Sequence, residues 1–324
     1  MNERYSRQIL FREIGREGQE RLHASRVLVV GCGALGAAHT EMLSRAGVGK
    51  LRIVDRDFVE FTNLQRQTLF SESDAADRLP KAIAAKKRIS KINSEIDVEA
   101  IVADVNNSNV ESLIAGCDII LDGTDNFQVR YLVNDACVKH AKPWIYGAAV
   151  SSYGTTMTIR PGETPCLRCI FEEMPDAGSA PTCDTAGVIM PIIASISAIQ
   201  VAEAIKLLVG DTASLHRSLV QIDVWANDWR KIKLAGPSED CICCIGRKFE
   251  FLDAEAQEFA AVLCGRDAVQ IAPPRPTEID LPALAARLSA LGDVKQNEYL
   301  LRFGIEEQEI TVFRDGRAII KGTD

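Results

Sequence analysis

Two pairs of cysteines carry the sharpest chemical signal in the sequence. Cys166-Leu-Arg-Cys169 and Cys241-Ile-Cys-Cys244 are CxxC pairs set far apart along the chain. Two short thiolate pairs brought together by a fold match tetrahedral Zn²⁺, and four thiolates leave no open position for a substrate, so such a site is structural. Cys243 leaves the second pair ambiguous, because a CxC pairing with Cys241 is possible. Cys241 with Cys244 is preferred, as CxxC is the commoner chelating spacing. A redox dithiol is the competing reading, and it would need only one pair. Cys183 stands between Pro181 and Gly187, in an expected loop ahead of a long helix. A thiol near a helix N-terminus can have a lowered pKa and act as a nucleophile, and an unremarkable loop cysteine is the alternative reading. Cys32, Cys117 and Cys137 fall in expected sheet or helix packing, Cys264 carries no reading, and the four histidines show no ligand spacing.

A second group of residues suits phosphate chemistry. Gly31, Gly33 and Gly36 form GCGALG between an apolar run and a helical stretch. Glycines there let the backbone approach a phosphate, at a helix N-terminus that offers free N–H groups. Asp55 ends the next apolar run, where an acid can accept hydrogen bonds from ribose hydroxyls. A glycine-rich packing turn is the plainer alternative, and it leaves Asp55 unexplained. Beyond Asp55 come Asp57, then Asn63-Leu-Gln-Arg66-Gln67, then Lys81 at the head of a helix. A hydride-transfer site needs no such cations. A nucleotidyl-transfer site does, because triphosphate and pyrophosphate charge must be neutralised. Asp125, in Asp122-Gly-Thr-Asp125-Asn126, follows another buried run and can hold Mg²⁺ at the C-terminal edge of a sheet. It can equally cap the helix that starts at Asn126. Asp122 is a less favoured alternative for the metal.

The elements that must position these residues follow from periodicity. Arg26–Val30, Leu51–Val54, Val98–Val102, Asp118–Leu121, Pro143–Tyr146 and Tyr153–Arg160 read as strands. Helical stretches separate the first five. The segment after GCGALG is ended by Gly47, and others cover 107–115 and 126–141. Such alternation predicts an α/β fold with a doubly wound Rossmann-like sheet. Residues 161–187 read as a long loop, Val188–Val209 as a long apolar helix, and 215–234 as two strands. The expected domains are 1–248, with the nucleotide and zinc motifs, and 249–324, a small α+β unit of open role. In the latter, Pro273–Pro276 reads as a stiff linker, Leu281–Leu291 as a helix, and Tyr299–Phe303, Glu309–Phe313 and Ala318–Lys321 as antiparallel strands. Asp315-Gly316 supplies a tight turn.

The whole chain of 324 residues is 47% hydrophobic and carries a net charge of −8, which disfavours nucleic acid as a main partner. No basic-apolar leader opens the sequence and no apolar stretch long enough to span a bilayer is apparent, so a cytoplasmic protein without membrane contact is expected.

Taken together, RYSRQ (4–8), GCGALG, the DxDxVExxNLQRQ pattern (55–67), Lys81, LDGTDN (121–126), CLRC, TCDTAGV (182–188) and CICC resemble the ThiF/MoeB/HesA family, bacterial relatives of ubiquitin-activating enzymes. The resemblance covers about three quarters of the chain. It implies ATP-dependent adenylylation of the C-terminal glycine of a ubiquitin-like sulfur-carrier protein ending in Gly-Gly, of ThiS-like or MoaD-like kind. It implies that Asp55 binds ribose, that Gly33 lies in the nucleotide loop, that Asn63, Arg66 and Lys81 contact phosphates, and that Asp125 organises Mg²⁺. Gly31, Gly36, Asp57, Gln67 and Asn126 complete the expected nucleotide set. It further implies a homodimer in which Arg7 reaches the partner's ATP site, and a covalent sulfur link at Cys183, with a sulfur-donor protein as a further partner. Two rival readings remain: an NAD-dependent oxidoreductase on the same fold, and a non-catalytic scaffold of the same family. The second predicts a missing arginine or aspartate, whereas Arg7, Arg66, Lys81 and Asp125 are all present.

Overall fold

The computed structural model describes residues 3–176, 181–254, 260–263, 268–271, 273, 277–305 and 308–322. Two compact units divide the chain, residues 1–254 and 255–324. In the first, two helices open the chain, α1 (Ser6–Ile9) and α2 (Gly15–Ala24). The alternation then begins with β1 (Arg26–Val30), α3 (Ala34–Ala46), β2 (Lys50–Asp55), α4 (Glu72–Ala76), α5 (Lys81–Ile92) and β3 (Asp97–Val102). It continues with α6 (Val110–Ile114), β4 (Ile119–Asp122), α7 (Phe127–Lys139), β5 (Trp144–Val150) and β6 (Tyr153–Ile159). After these come α8 (Leu167–Ile170), α9 (Cys183–Ala186), α10 (Met190–Val209), β7 (Ser218–Asp223) and β8 (Asp228–Lys233).

The eight strands form one sheet in the order β3-β2-β1-β4-β5-β6-β7-β8. β3, β2, β1, β4 and β5 are parallel, and β6, β7 and β8 continue the sheet antiparallel. The reversal of chain direction around β1 makes this the doubly wound, Rossmann-like arrangement, and it leaves a crevice at the C-terminal ends of β1 and β4. Strand pleating sorts the apolar residues of β1 to two cores. Leu28 and Val30 pack with α6 and α7, while Val27 and Val29 pack with α3, α5 and α10. Both faces of the parallel strands are therefore covered, which is why these strands read as continuous apolar runs. The chain from 249 to 254 belongs to the first of these cores, through Phe249 and Leu252.

One expectation needs correction. α10 is long and apolar enough to cross a bilayer, with a mean hydropathy of 1.8. It packs instead against β5, β6 and α3, with Ile192, Ile193, Ile196 and Val201 buried. Ser197, Gln200 and Glu203 are buried with them, and Gln200 and Glu203 find partners within the fold, which a lipid-facing helix would not provide.

The second unit is an antiparallel six-stranded sheet with one helix. Its strands are β9 (Ala260–Leu263), β10 (Ala268–Ile271), β11 (Asp293–Gln296), β12 (Leu300–Ile305), β13 (Gln308–Phe313) and β14 (Ala318–Lys321), and its helix is α11 (Leu281–Leu288). The order is β11-β12-β13-β14-β10-β9. Leu281, Leu301 and Phe303 form its core, and Gly316 turns the β13–β14 hairpin at φ +85°. Cys264 and Pro274–Pro276 of the expected linker lie outside the described residues.

Candidate active site and metal centre

The glycine loop is built by backbone packing. Gly31 has φ +81°, a conformation that L side chains rarely adopt. A Cβ on Gly36 would fall 1.9 Å from the Gly31 carbonyl oxygen, and one on Gly123 would fall 2.6 Å from that same oxygen. Gly31, Gly36 and Gly123 thus press backbone on backbone. This joins the loop after β1 to the loop after β4, and the Gly123 amide donates to the Val30 carbonyl at 2.8 Å. Gly33 is different: nothing lies within 3.9 Å of where its Cβ would be. It is the N-cap of α3 and offers no capping side chain, so the first-turn amides of α3 remain available to an anion.

Asp55, at the end of β2, is buried and fixed by two amides. Cys32 N donates to its Oδ2 at 2.6 Å and Asp57 N to its Oδ1 at 2.7 Å. Each carboxylate oxygen retains a second lone pair for a hydroxyl donor. Burial raises the pKa of this carboxyl, with Lys81 pulling the other way. Lys81 is itself 4% exposed and its Nζ meets Asp57 Oδ2 at 3.0 Å. A buried lysine beside two carboxylates is a fixed positive charge at this edge of the sheet. Arg56, not singled out from sequence, pairs with Asp104 at 3.3 Å; the nearby charges that favour its protonation include Asp57, Asp125 and Asp55.

The NLQRQ turn packs against the loop. Gln67 is buried next to Gly33, and its Oε1 has no hydrogen-bond partner among the described residues. Asn63 is buried and its Oδ1 accepts from Glu60 N at 3.0 Å, so it also closes its own turn. Arg66 is half-buried and donates to the Thr62 carbonyl at 2.9 Å.

In the loop after β4 the two aspartates part company. Asp122 is 2% exposed and accepts from Thr124 N, Thr124 Oγ1, Arg130 Nε and Gly147 N at 2.9, 2.8, 3.0 and 3.3 Å. Its acceptor capacity is taken up inside the fold, which removes it as a metal ligand. Asp125 is exposed. The helix cap that might have explained it belongs to Asn126, whose Oδ1 accepts from Val129 N at 3.2 Å. Asp125 is thus an exposed carboxylate on a loop locked to the glycine loop, a donor that fits a Mg²⁺ ion sharing phosphate oxygens. Arg130 and Gly123 were missed as contributors. The glycine loop that Gly123 meets is distant in sequence, Arg130 meets Asp122 and Thr124 only because α7 folds back over the loop, and neither residue type marks such a contact.

Cys183 is the first residue of α9, a single turn capped by Thr182, and its Sγ lies 3.6 Å from the Ala149 carbonyl. Ala149 is near the C-terminal end of β5, the same edge of the parallel strands that carries Asp122 and Asp55. Arg7 is not brought to this edge. Tyr5 and Gln8 dock its arm at Ala46–Gly47, the far end of α3 from Gly33. The 13 residues of α3 separate the two ends by about 20 Å.

The four cysteines gather elsewhere, beside α7. The sulfurs of Cys166, Cys169, Cys241 and Cys244 all lie within 4.8 Å of one another. Three of the spacings are 3.6 Å (Cys166–Cys241), 3.8 Å (Cys166–Cys169) and 3.4 Å (Cys169–Cys244). Tetrahedral zinc with bonds of about 2.3 Å sets sulfurs about 3.8 Å apart, so this donor set fits the ion. Burial and the Cys169 thiol push the Cys244 thiol up to about 12, and a bound dication reverses that. The ambiguity over Cys243 is resolved. Its sulfur is buried between Asn134 Nδ2 and Asp135 Oδ1, each at 3.3 Å. Asn134 and Asp135 also accept from Leu167 N and Phe251 N, both at 2.9 Å, and so pin both cysteine segments to one helix.

Comparison with known proteins agrees with this geometry. The ThiF family model matches residues 5–243. The sulfur carrier protein ThiS adenylyltransferase of Bacillus subtilis (strain 168) is 46% identical over 326 aligned residues, covering 100% of this chain and 96% of that protein. The molybdopterin-synthase adenylyltransferase of Salmonella typhimurium (strain LT2) is 42% identical over 71% of this chain and 92% of its own. Among solved structures, E. coli MccB with ATP is similar with a TM-score of 0.65 and 26% identity over 75% of each chain. The chain belongs to the ThiF family.

Proposed function

We propose that the protein is an ATP-dependent adenylyltransferase that activates the C-terminal carboxylate of a ubiquitin-like sulfur-carrier protein, of the ThiS or MoaD kind, for sulfur transfer in thiamine or molybdopterin biosynthesis. The observation that carries the reading is the lock between Gly123 and the Gly31–Gly36 loop. It sets an open anion-binding loop and an exposed carboxylate, Asp125, on one sheet edge beside the buried Lys81. Relatives named for adenylylation of sulfur carriers support it.

The reaction is attack by a terminal carboxylate on the α-phosphate, giving an acyl-adenylate and pyrophosphate. A carboxylate is a weak nucleophile toward a polyanion, so the site must align the groups and neutralise charge. Alignment supplies about 7–11 kcal/mol and one preorganised donor about 3 kcal/mol. Asp55 holds the ribose, Gly33 and the first turn of α3 take phosphate, and Lys81, Arg66 and Asn63 complete the phosphate contacts. Asp57, Gln67 and Asn126 support them. Asp125 would hold Mg²⁺, which when bound screens phosphate charge and improves the leaving group. Cys166, Cys169, Cys241 and Cys244 would hold structural zinc. Arg7 serves the partner's site in a homodimer. Cys183 acts afterwards: its thiolate, or a persulfide loaded on it by a separate sulfane-sulfur donor protein, attacks the acyl-adenylate and displaces AMP. A cytoplasmic location goes with this activity.

Mass spectrometry of a Gly-Gly-ended carrier incubated with enzyme, ATP and Mg²⁺ tests the reading. The carrier gains the mass of one adenylyl group, AMP less water, and with a sulfur source a reductant-sensitive enzyme–carrier adduct forms that Cys183→Ser lacks. A carrier of unchanged mass contradicts the adenylylation; an adduct that persists in Cys183→Ser contradicts the cysteine's role alone.

A further inference from the structure

We infer that Arg130 is a positioning residue for the metal-binding carboxylate, acting through the loop that carries Asp125; this rests on the proposed role of Asp125. Arg130 lies in the first turns of α7 and is 5% exposed. Its guanidinium makes three contacts: Nε to Asp122 Oδ2 at 3.0 Å, Nη2 to the Thr124 carbonyl at 2.6 Å and Nη2 to the Gly147 carbonyl at 3.2 Å. The rings of Phe127 and Tyr146 lie 5.4 and 5.5 Å from it. These contacts span the end of β4, the loop and the edge of β5.

The loop between Asp122 and Asn126 is therefore held on every side but one. Asp122 is held by Arg130, Gly123 by the glycine loop, Thr124 by Arg130 and Asp122, and Asn126 by its own cap. Only Asp125 projects outward, and the nearby charges acting on Arg130 include its carboxylate. A planar donor fork suits this task, because it fixes two carbonyls and a carboxylate at once, which an ammonium cannot do. The consequence is that Asp125 holds its direction before metal and nucleotide arrive. Removing the fork frees the loop without touching any residue assigned to nucleotide or metal.

The test uses the full chain with zinc in place. Arg130→Met alone would leave Asp122 buried without its counter-charge, so it is combined with Asp122→Asn; Arg130→Lys keeps the charge and loses the fork. Thermal midpoint and zinc content establish folding. ATP–pyrophosphate exchange, in the presence of carrier, is then measured against Mg²⁺ concentration. Both variants are expected to need about 10- to 100-fold more Mg²⁺ for half-maximal exchange, the scale seen when a metal ligand loses its supporting contact. KM for carrier stays near wild type. A purely architectural role would lower the thermal midpoint and leave the Mg²⁺ requirement unmoved, and that result in folded protein overturns the inference. If the double variant does not fold, Arg130→Lys alone decides by the same readout. Asp125→Ala is run alongside. If it exchanges normally, the role of Asp125 fails and this inference with it; if it is inactive while the Arg130 variants behave as wild type, only the inference fails.

Discussion

Gly33 and Gly36 share one loop, yet their side chains are absent for different reasons. A methyl at Gly36 meets the Gly31 carbonyl, which is backbone and cannot step aside, whereas a methyl at Gly33 meets Gln67 Nε2 and the Gly123 carbonyl only at 3.9 Å, an ordinary contact distance. Gly36→Ala is therefore expected to lower unfolding stability by about 1–3 kcal/mol or more, as overpacking does. Gly33→Ala should unfold like wild type in denaturant and bind ATP about tenfold more weakly, the equivalent of losing one phosphate-directed contact. Equal losses of stability in the two variants would contradict this division. The cysteines part in the same way. Cys244→Ser should lose zinc and several kcal/mol with it. Cys243→Ser should keep the metal, since that sulfur is held by Asn134 and Asp135. Metal analysis of the two purified variants decides, and zinc loss from Cys243→Ser would refute the assignment. Residues whose role depends on short spacing were legible in the sequence: GCGALG, the acid of Asp55 and the CxxC pairs. Gly123 was not, because strand order brings it to Gly31, and Arg130 was not, because its contact with Asp122 depends on how the first turn of α7 folds back over the end of β4.

At the scale of elements, α3, α10 and the ends of β4 and β5 are joined by a buried polar chain. His39 Nε2 meets Gln200 Oε1 at 2.8 Å, and Gln200 Nε2 donates to the carbonyls of Asp122 and Ile145 at 3.1 and 3.2 Å. Because the amide oxygen only accepts, Nε2 carries a proton, and Nδ1 is buried with no hydrogen-bond partner among the described residues. Burial brings the His39 pKa down from 6.5 to about 4. Between these values the unfolded chain takes up a proton that the folded chain refuses. Folding stability should thus fall as pH drops below 6.5, by at most about 1.4 kcal/mol per unit. Denaturant titrations of wild type and His39→Gln between pH 7 and pH 5, approximate limits set above most carboxylate titration, should show a shallower slope for the variant. Identical slopes would mean that another group carries the effect. β1, β2, β3, β4 and β6 were read from sequence nearly to their ends, whereas β5 runs on from Tyr146 through Gly-Ala-Ala to Val150, where small residues weaken the apolar signal. The long loop expected over 161–187 contains α8 and α9, each a single turn too short to show a period. In the second unit β11 is a polar run, Asp-Val-Lys-Gln, with no alternating pattern to announce it.

The whole molecule poses the question of the N-terminal arm. Arg7 is exposed, and its neighbours Tyr5 and Gln8 hold it at the end of α3 remote from Gly33. An arginine side chain does not bridge that length of about 20 Å, so a role for Arg7 in catalysis requires a second copy of the chain. Mixing Arg7→Ala chains with Asp125→Ala chains should restore part of the activity, since a mixed dimer holds one site with both residues intact. No recovery in demonstrated mixed dimers would place Arg7 outside catalysis. The second unit has its own sheet and core, and the Bacillus subtilis relative matches it along with the first. The central claim is that this chemistry is carboxylate adenylylation. Exchange of labelled pyrophosphate into ATP measures it most directly, with a carrier ending in Gly-Gly and with the same carrier lacking that tail. The account predicts exchange that requires the intact tail and Mg²⁺ and disappears in a folded Asp125→Ala variant. Exchange that is absent with every intact carrier, or unchanged when the tail is removed, would contradict it.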